Sequence, residues 1–215
     1  MSDASVDKVK GFKLLLTLIL LFSSATSAYS RAEDKYDILY FAEGSTIIGK
    51  STIGAYAEWC LHYNQGGFSY YYAGPYISIP ITGWLAAQSA IYYIQDSGRP
   101  YAIWPSAGIK VSAAPGQFGL FLSESLVYDY SFIKDSAPFL RTRAGIFYKQ
   151  KHGLLTPSIW CELYSWNDWI RIKTFAGISV RMSPSLSLTV AYLHSDINGR
   201  DYRLNHLVLG LAAKF

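Results

Sequence analysis

The last eleven residues constrain this chain more than any other stretch. They read Asn205-His-Leu-Val-Leu-Gly-Leu-Ala-Ala-Lys-Phe215. Leu207, Leu209, Leu211, Ala213 and Phe215 recur at every second position, and a period of two puts all five side chains on one face of an extended strand. A helix would scatter them around its axis. The chain therefore ends in a strand whose apolar face must meet either a core or an apolar solvent.

The other end narrows the choice. Lys8, Lys10 and Lys13, set against Asp3 and Asp7, lead into the apolar run Leu14 to Phe22 and then into small and polar residues from Ser23 to Ser30. That run is too short for a spanning helix, which needs about 20 apolar residues. Residues 1–30 read as a secretory signal peptide, with Ala28 and Ser30, or Ser30 and Ala32, supplying the small residues of a cleavage site. An N-terminal anchor helix is the alternative. The first cysteine is Cys60, too far on for a lipoprotein site.

The chain is 51% apolar, yet no later stretch approaches 18 uninterrupted apolar residues, which excludes a helical membrane protein. Two folds are left: a soluble secreted β-domain, and a closed barrel, the only sheet that satisfies its backbone in lipid. A strand ending on an aromatic residue, as at Phe215, resembles the closing strand of bacterial outer-membrane barrels, where the assembly machinery also reads it. That resemblance implies the outer membrane of a Gram-negative bacterium, with its lipids and lipopolysaccharide as partners. A monomer is expected. The net charge of +4 includes the signal-peptide lysines and gives no reason to expect nucleic acid.

Counting back from Phe215 gives ten strand-length segments: 203–215, 186–195, 170–181, 154–165, 138–149, 117–129, 100–112, 84–95, 68–79 and 50–61. Each has the length that a tilted membrane strand needs. Met182-Ser-Pro-Ser185, Gln150-Lys-His-Gly153, Ala113-Ala-Pro-Gly116 and Pro80-Ile-Thr-Gly83 are short turns with Pro or Gly where the chain reverses. The connections near 64–67, 96–99, 130–137, 166–169 and 196–202 are longer or more polar, and would face outward from the cell. Tyr63, Tyr70 to Tyr72, Tyr92, Tyr93, Tyr128, Tyr130, Tyr164, Trp166 and Trp169 collect at that end, and Trp84, Tyr148 and Phe215 at the other, as two aromatic girdles. The fold class expected is an all-β, up-and-down antiparallel transmembrane barrel of about ten strands over 50–215, with eight or twelve as alternatives. Residues 31–49 are a lead-in or an extra strand. Both termini of a bacterial barrel normally share one side, which favours an even count.

Parity separates the lining from the outer face. In 170–181 the residues Ile170, Ile172, Thr174, Ala176, Ile178 and Val180 share one face and Arg171, Lys173 and Arg181 the other. The charged face is interior, since Arg or Lys toward lipid costs about 2 to 4 kcal/mol. The same rule turns Arg141, Arg143 and Lys149, Glu162 and Tyr164, and Glu58 and Tyr56 inward. Four-residue connections at 150–153 and 166–169 put Arg141 opposite Glu162 and Glu162 opposite Lys173, a cross-strand charge row. Phe118, Leu120 and Leu122 share parity with Glu124, which calls for a bulge or a partly apolar lumen. Cys60 and Cys161 face opposite ways, so no disulfide is expected.

Two functions fit. One is a narrow channel, solute-binding or envelope-structural barrel lined by Glu58, Arg141, Arg143, Glu162, Arg171 and Lys173. The other is an acyltransferase. The stretch Ala90-Ile-Tyr-Tyr-Ile-Gln-Asp-Ser97, with Trp104-Pro105 and Ala107-Gly108, resembles the outer-membrane lipid A palmitoyltransferase family, which implies catalytic roles for His62, Asp96 and Ser97 on the outer rim. Lumenal Arg141, Arg143, Arg171 and Lys173 suit a bound acyl chain badly. His194-Ser195-Asp196 is contiguous, but neighbours in a strand project alternately and form no relay. Arg171 to Gly177, Leu188 to Leu193 and Asn205 to Leu211 resemble the last three strands of a family of small outer-membrane barrels of unknown function, which implies a fold and no reaction. Metal-ligand clusters, phosphate-binding loops and cofactor motifs are not discernible.

Overall fold

The computed structural model describes residues 33–62, 68–96, 101–131, 137–149, 153–166, 169–197 and 202–215. Eleven strands form one closed barrel in the order β1-β11-β10-β9-β8-β7-β6-β5-β4-β3-β2. They are β1 (Glu33–Ile48), β2 (Ser51–His62), β3 (Phe68–Pro80), β4 (Leu85–Asp96), β5 (Ala102–Ala113), β6 (Phe118–Ser131), β7 (Ala137–Tyr148), β8 (Leu155–Trp166), β9 (Trp169–Ser183), β10 (Leu186–Ile197) and β11 (Tyr202–Lys214). Consecutive strands pair antiparallel throughout.

The ten strands counted back from Phe215 all form, each within two residues of its expected bounds. The count itself is corrected to eleven. Residues 33–48 form β1, which pairs with β2 from Asp37↔His62 to Ile48↔Ser51. The two-residue turn Gly49-Lys50 joins them with Gly49 at φ 64°, a left-handed start that suits a tight hairpin and that glycine adopts without a Cβ clash.

An odd number of alternating strands makes the first and last run the same way, so this barrel closes on a parallel pair. The Phe215 N–H donates to the Ser45 carbonyl at 2.9 Å, and Thr46 Oγ1 donates to the Phe215 carbonyl at 2.8 Å. Further along the seam the Phe41 ring lies over Gly210, where a Cβ would sit 1.9 Å from it. Thr46 and Phe215 are 169 residues apart, as are Phe41 and Gly210. A constant separation is the mark of parallel register. The expectation of an even count assumed that both ends of the barrel share a rim. Here β1 begins at the rim of the longer connections and β11 ends at the rim of the short turns.

The wall is polar inside and apolar outside, the reverse of a soluble sandwich. Ile91 is 55% exposed, Leu126 58% and Leu207 50%, all on the outer parity. The interior instead carries Glu162, Lys173, Ser195 and His206, each nearly inaccessible. Two apolar clusters also sit inside. Leu39, Phe175, Ala191, Leu193 and Val208 pack under the seam, and Val127, Phe139 and Tyr164 pack on the far wall with Trp104 against them.

Strand β6 needs neither a bulge nor an apolar lumen. Its pairing with β7 runs unbroken from Phe118↔Tyr148 to Asp129↔Ala137, and Leu120, Leu122, Glu124 and Leu126 are all exposed on the outer face. The outer rim of tyrosines is also more selective than its sequence spacing implies. Tyr71, Tyr93, Tyr101, Tyr128 and Tyr130 form outward ring pairs, and Tyr40 stacks on Trp59 at 5.6 Å. Tyr70, Tyr72, Tyr92 and Tyr164 point inward instead, because they share parity with Glu58 and Arg141 through the ladder.

Gly210 tests the seam packing. Gly210→Val should lower the stability of the folded barrel by about 1 to 3 kcal/mol, the usual range for overpacking. Adding Phe41→Ala should recover part of that loss in urea titrations, since the two positions share one space. Equal losses with and without the second change would place Phe41 elsewhere.

Candidate functional site

The strand ladder brings the inward charges to one level. Arg143 is opposite Glu162, Glu162 is opposite Lys173, and Arg141 is opposite Tyr164. The Glu162–Lys173 pairing is the expected one. The β7–β8 register is shifted by two residues from expectation, with Phe147 opposite Ser158 as the last pair before the reversal. Arg141 nevertheless reaches Glu162 diagonally, with Nε at 2.7 Å and Nη2 at 2.6 Å from one carboxylate oxygen. The other oxygen accepts from Tyr164 Oη at 2.8 Å. Glu162 is 2% exposed, so its charge is sustained by these donors rather than by water.

From this level the contacts cross the barrel. Arg141 on β7 donates from Nη1 to Tyr72 Oη on β3 at 3.3 Å. Tyr72 stacks on Tyr92 at 4.3 Å and meets Trp104 edge-on, and Trp104 meets Phe139 back on β7. On the other side Lys173 of β9 lies 4.0 Å from Glu58 of β2, which also accepts from Tyr56 Oη at 2.6 Å and from Tyr70 Oη. The Lys173 ammonium sits over the Tyr164 ring. Nearer the short turns Arg143 stacks on Trp160 at 4.0 Å, and toward the other rim Arg171 donates to Ser195 Oγ at 2.8 Å. Cations are thus held by a carboxylate, a hydroxyl or a ring face, each favourable where water is scarce. All six charged residues expected in the lining lie on the inward parity.

The rim residues fare differently. Asp96 is on β4 and shares the inward parity of its partner Tyr70, whereas position 62 lies on β2 with β3 between them. Ser97 lies outside the described residues, and so does the His62 side chain. The contiguous His194-Ser195-Asp196 splits as expected between faces. Ser195 turns inward to Arg171, while His194 and Asp196 share the outer face, with Nε2 and Oδ2 3.2 Å apart. Asn205 Oδ1 accepts from His194 Nδ1 at 2.8 Å, and Arg203 pairs with Asp196 at 3.2 Å. Cys60 is buried and Cys161 exposed on opposite faces, and both are free.

One constellation escapes the reading of the sequence. Asp37 of β1, Cys60 of β2 and His206 of β11 converge inside the barrel, with their possible ligand atoms within 4.8 Å of one another. Spacing along the chain carries no signal for it, because Asp37 gains a register to Cys60 and His206 only when 33–48 pairs as β1.

Removing the carboxylate charge tests the transverse network. Glu162→Gln should cost about 3 kcal/mol, as for a buried pair that loses one partner, while Lys149→Gln at the exposed end of the wall should stay within about 0.5 kcal/mol. Similar effects in denaturant titrations would mean that Glu162 is not buried among cations. No family model matches the chain, nor does any curated protein or solved structure.

Proposed function

We propose that this chain is an outer-membrane β-barrel whose interior is a packed polar plug, and that it acts as a closed, envelope-structural barrel rather than an open pore. The observation that carries the reading is the hydrogen bond between Arg141 and Tyr72, which ties β7 to β3 on opposite walls. Lys173 beside Glu58 ties β9 to β2 at the same level. An open channel keeps its lining charges apart and wet, whereas these are engaged with each other and with aromatic faces.

The membrane part of the proposal draws on the apolar outer wall. A contiguous exposed apolar surface of this extent is unfavourable in water, and outward aromatic pairs at one rim suit a lipid interface. Trp84, 55% exposed, and Phe215, 86% exposed, stand at the other rim. Export by residues 1–30 and recognition of Phe215 by the assembly machinery complete the reading, with outer-membrane lipids and lipopolysaccharide as the surrounding partners of a monomer.

Planar bilayers test the plug. The wild-type barrel should give no steady single-channel steps, and a variant with both Arg141→Ala and Glu162→Ala should give them. Steady ohmic conductance of the wild type, equal to that of the double variant, would make the barrel an open channel.

A further inference from the structure

We infer that Asp37, Cys60 and His206 form a binding site for a single borderline transition-metal dication such as Zn²⁺, set inside the barrel at its closing seam. The three side chains come from three adjacent strands, β2, β1 and β11. The β1–β2 ladder puts Leu39 beside Cys60, so Asp37 stands one inward position further toward the rim. The parallel offset of 169 residues that joins Thr46 to Phe215 also brings Asp37 beside His206. Closure of the barrel is what assembles the site.

The distances, those of long sulfur hydrogen bonds, also suit a shared metal. Cys60 Sγ lies 3.6 Å from His206 Nδ1 and 3.8 Å from Asp37 Oδ2. A tetrahedral ion with a sulfur ligand at about 2.3 Å and a nitrogen or oxygen ligand at about 2.0 to 2.1 Å separates those ligands by about 3.5 Å. Two of the three ligand separations therefore lie close to the edges of such a tetrahedron, with the thiol at the shared corner, and the third is within 4.8 Å. Three protein ligands leave one position open.

The surroundings supply the second argument. Cys60 is wholly buried and His206 is 1% exposed. His206 Nε2 has no hydrogen-bond partner among the described residues, and Nδ1 meets the thiol at 3.6 Å, a weak partner. A buried imidazole left this way is costly, and an ion shared with a thiol and a carboxylate would offset that cost. Sulfur, imidazole and carboxylate together select Zn²⁺ or Co²⁺ over Mg²⁺ or Ca²⁺. The nearby cations do not occupy the position, since Arg171 is held by Ser195 and Lys173 lies beside Glu58. Binding is a ligand exchange without redox change: the Cys60 S–H bond breaks, its proton leaves to solvent and the sulfur lone pair forms the metal bond.

The test uses the full chain refolded in detergent, with Co²⁺ as the probe because thiolate ligation gives a near-ultraviolet charge-transfer band. One Co²⁺ per chain should produce that band, and Zn²⁺ should displace it. The band should persist in Cys161→Ser, vanish in Cys60→Ser and need at least tenfold more Co²⁺ in His206→Gln. Zn²⁺ should also raise the unfolding temperature of the wild type and leave that of His206→Gln unchanged. If Cys60→Ser fails to fold, Asp37→Asn takes its place, with the same tenfold loss expected. A wild type that gives no band, a band carried by Cys161, or equal Zn²⁺ stabilisation of wild type and His206→Gln would overturn the site.

Discussion

The parallel pairing of β1 with β11 is the constraint on which the rest of the structure depends. An open eleven-stranded sheet would leave two edges of unpaired backbone groups, which is costly in any medium and prohibitive in lipid. The seam is secured by backbone contacts at Phe215 and by one large ring at Phe41 lying over Gly210. It also decides what the interior contains. With β1 in the wall, Asp37 and Glu43 join the lining, Leu39 packs with Val208 and Phe175, and the carboxylate meets Cys60 and His206.

Inside, charge and aromatic rings solve one problem together. A small barrel leaves a space that side chains must fill, and filling it with cations alone would leave them repelling each other without solvent. Glu162 and Glu58 counter Arg141 and Lys173, and tyrosine hydroxyls use the remaining carboxylate lone pairs. Trp160 and Tyr164 cover cation faces. The arrangement ties opposite walls, so its loss would affect both stability and permeability.

Much of this architecture was legible in the residues because a period of two is unambiguous over long strands. Ten strands and the inward faces of Arg141, Glu162 and Lys173 follow from that period. Register was less legible. The β7–β8 ladder runs two residues out of the register that a four-residue turn at 150–153 implies, so Arg143 rather than Arg141 lies opposite Glu162. The eleventh strand is legible only as an alternative, since Ile38, Tyr40 and Thr46 to Ile48 carry strand-like residues while the even count normal for bacterial barrels argues against it. The seam cluster was not legible at all, since three residues from distant parts of the chain meet only after closure.

The seam is tested most directly by cross-linking its two strands. In a chain with Cys60→Ser and Cys161→Ser, cysteines placed by Ala42→Cys and Leu211→Cys share the outer face and the 169-residue offset of the seam. Mild oxidation of the folded protein should join them within one chain, seen as a mobility shift that reductant reverses, whereas pairing Ala42→Cys with Leu207→Cys should give little product. Absence of the first cross-link, or equal yield of the two, would contradict an eleven-stranded barrel closed by parallel β1 and β11.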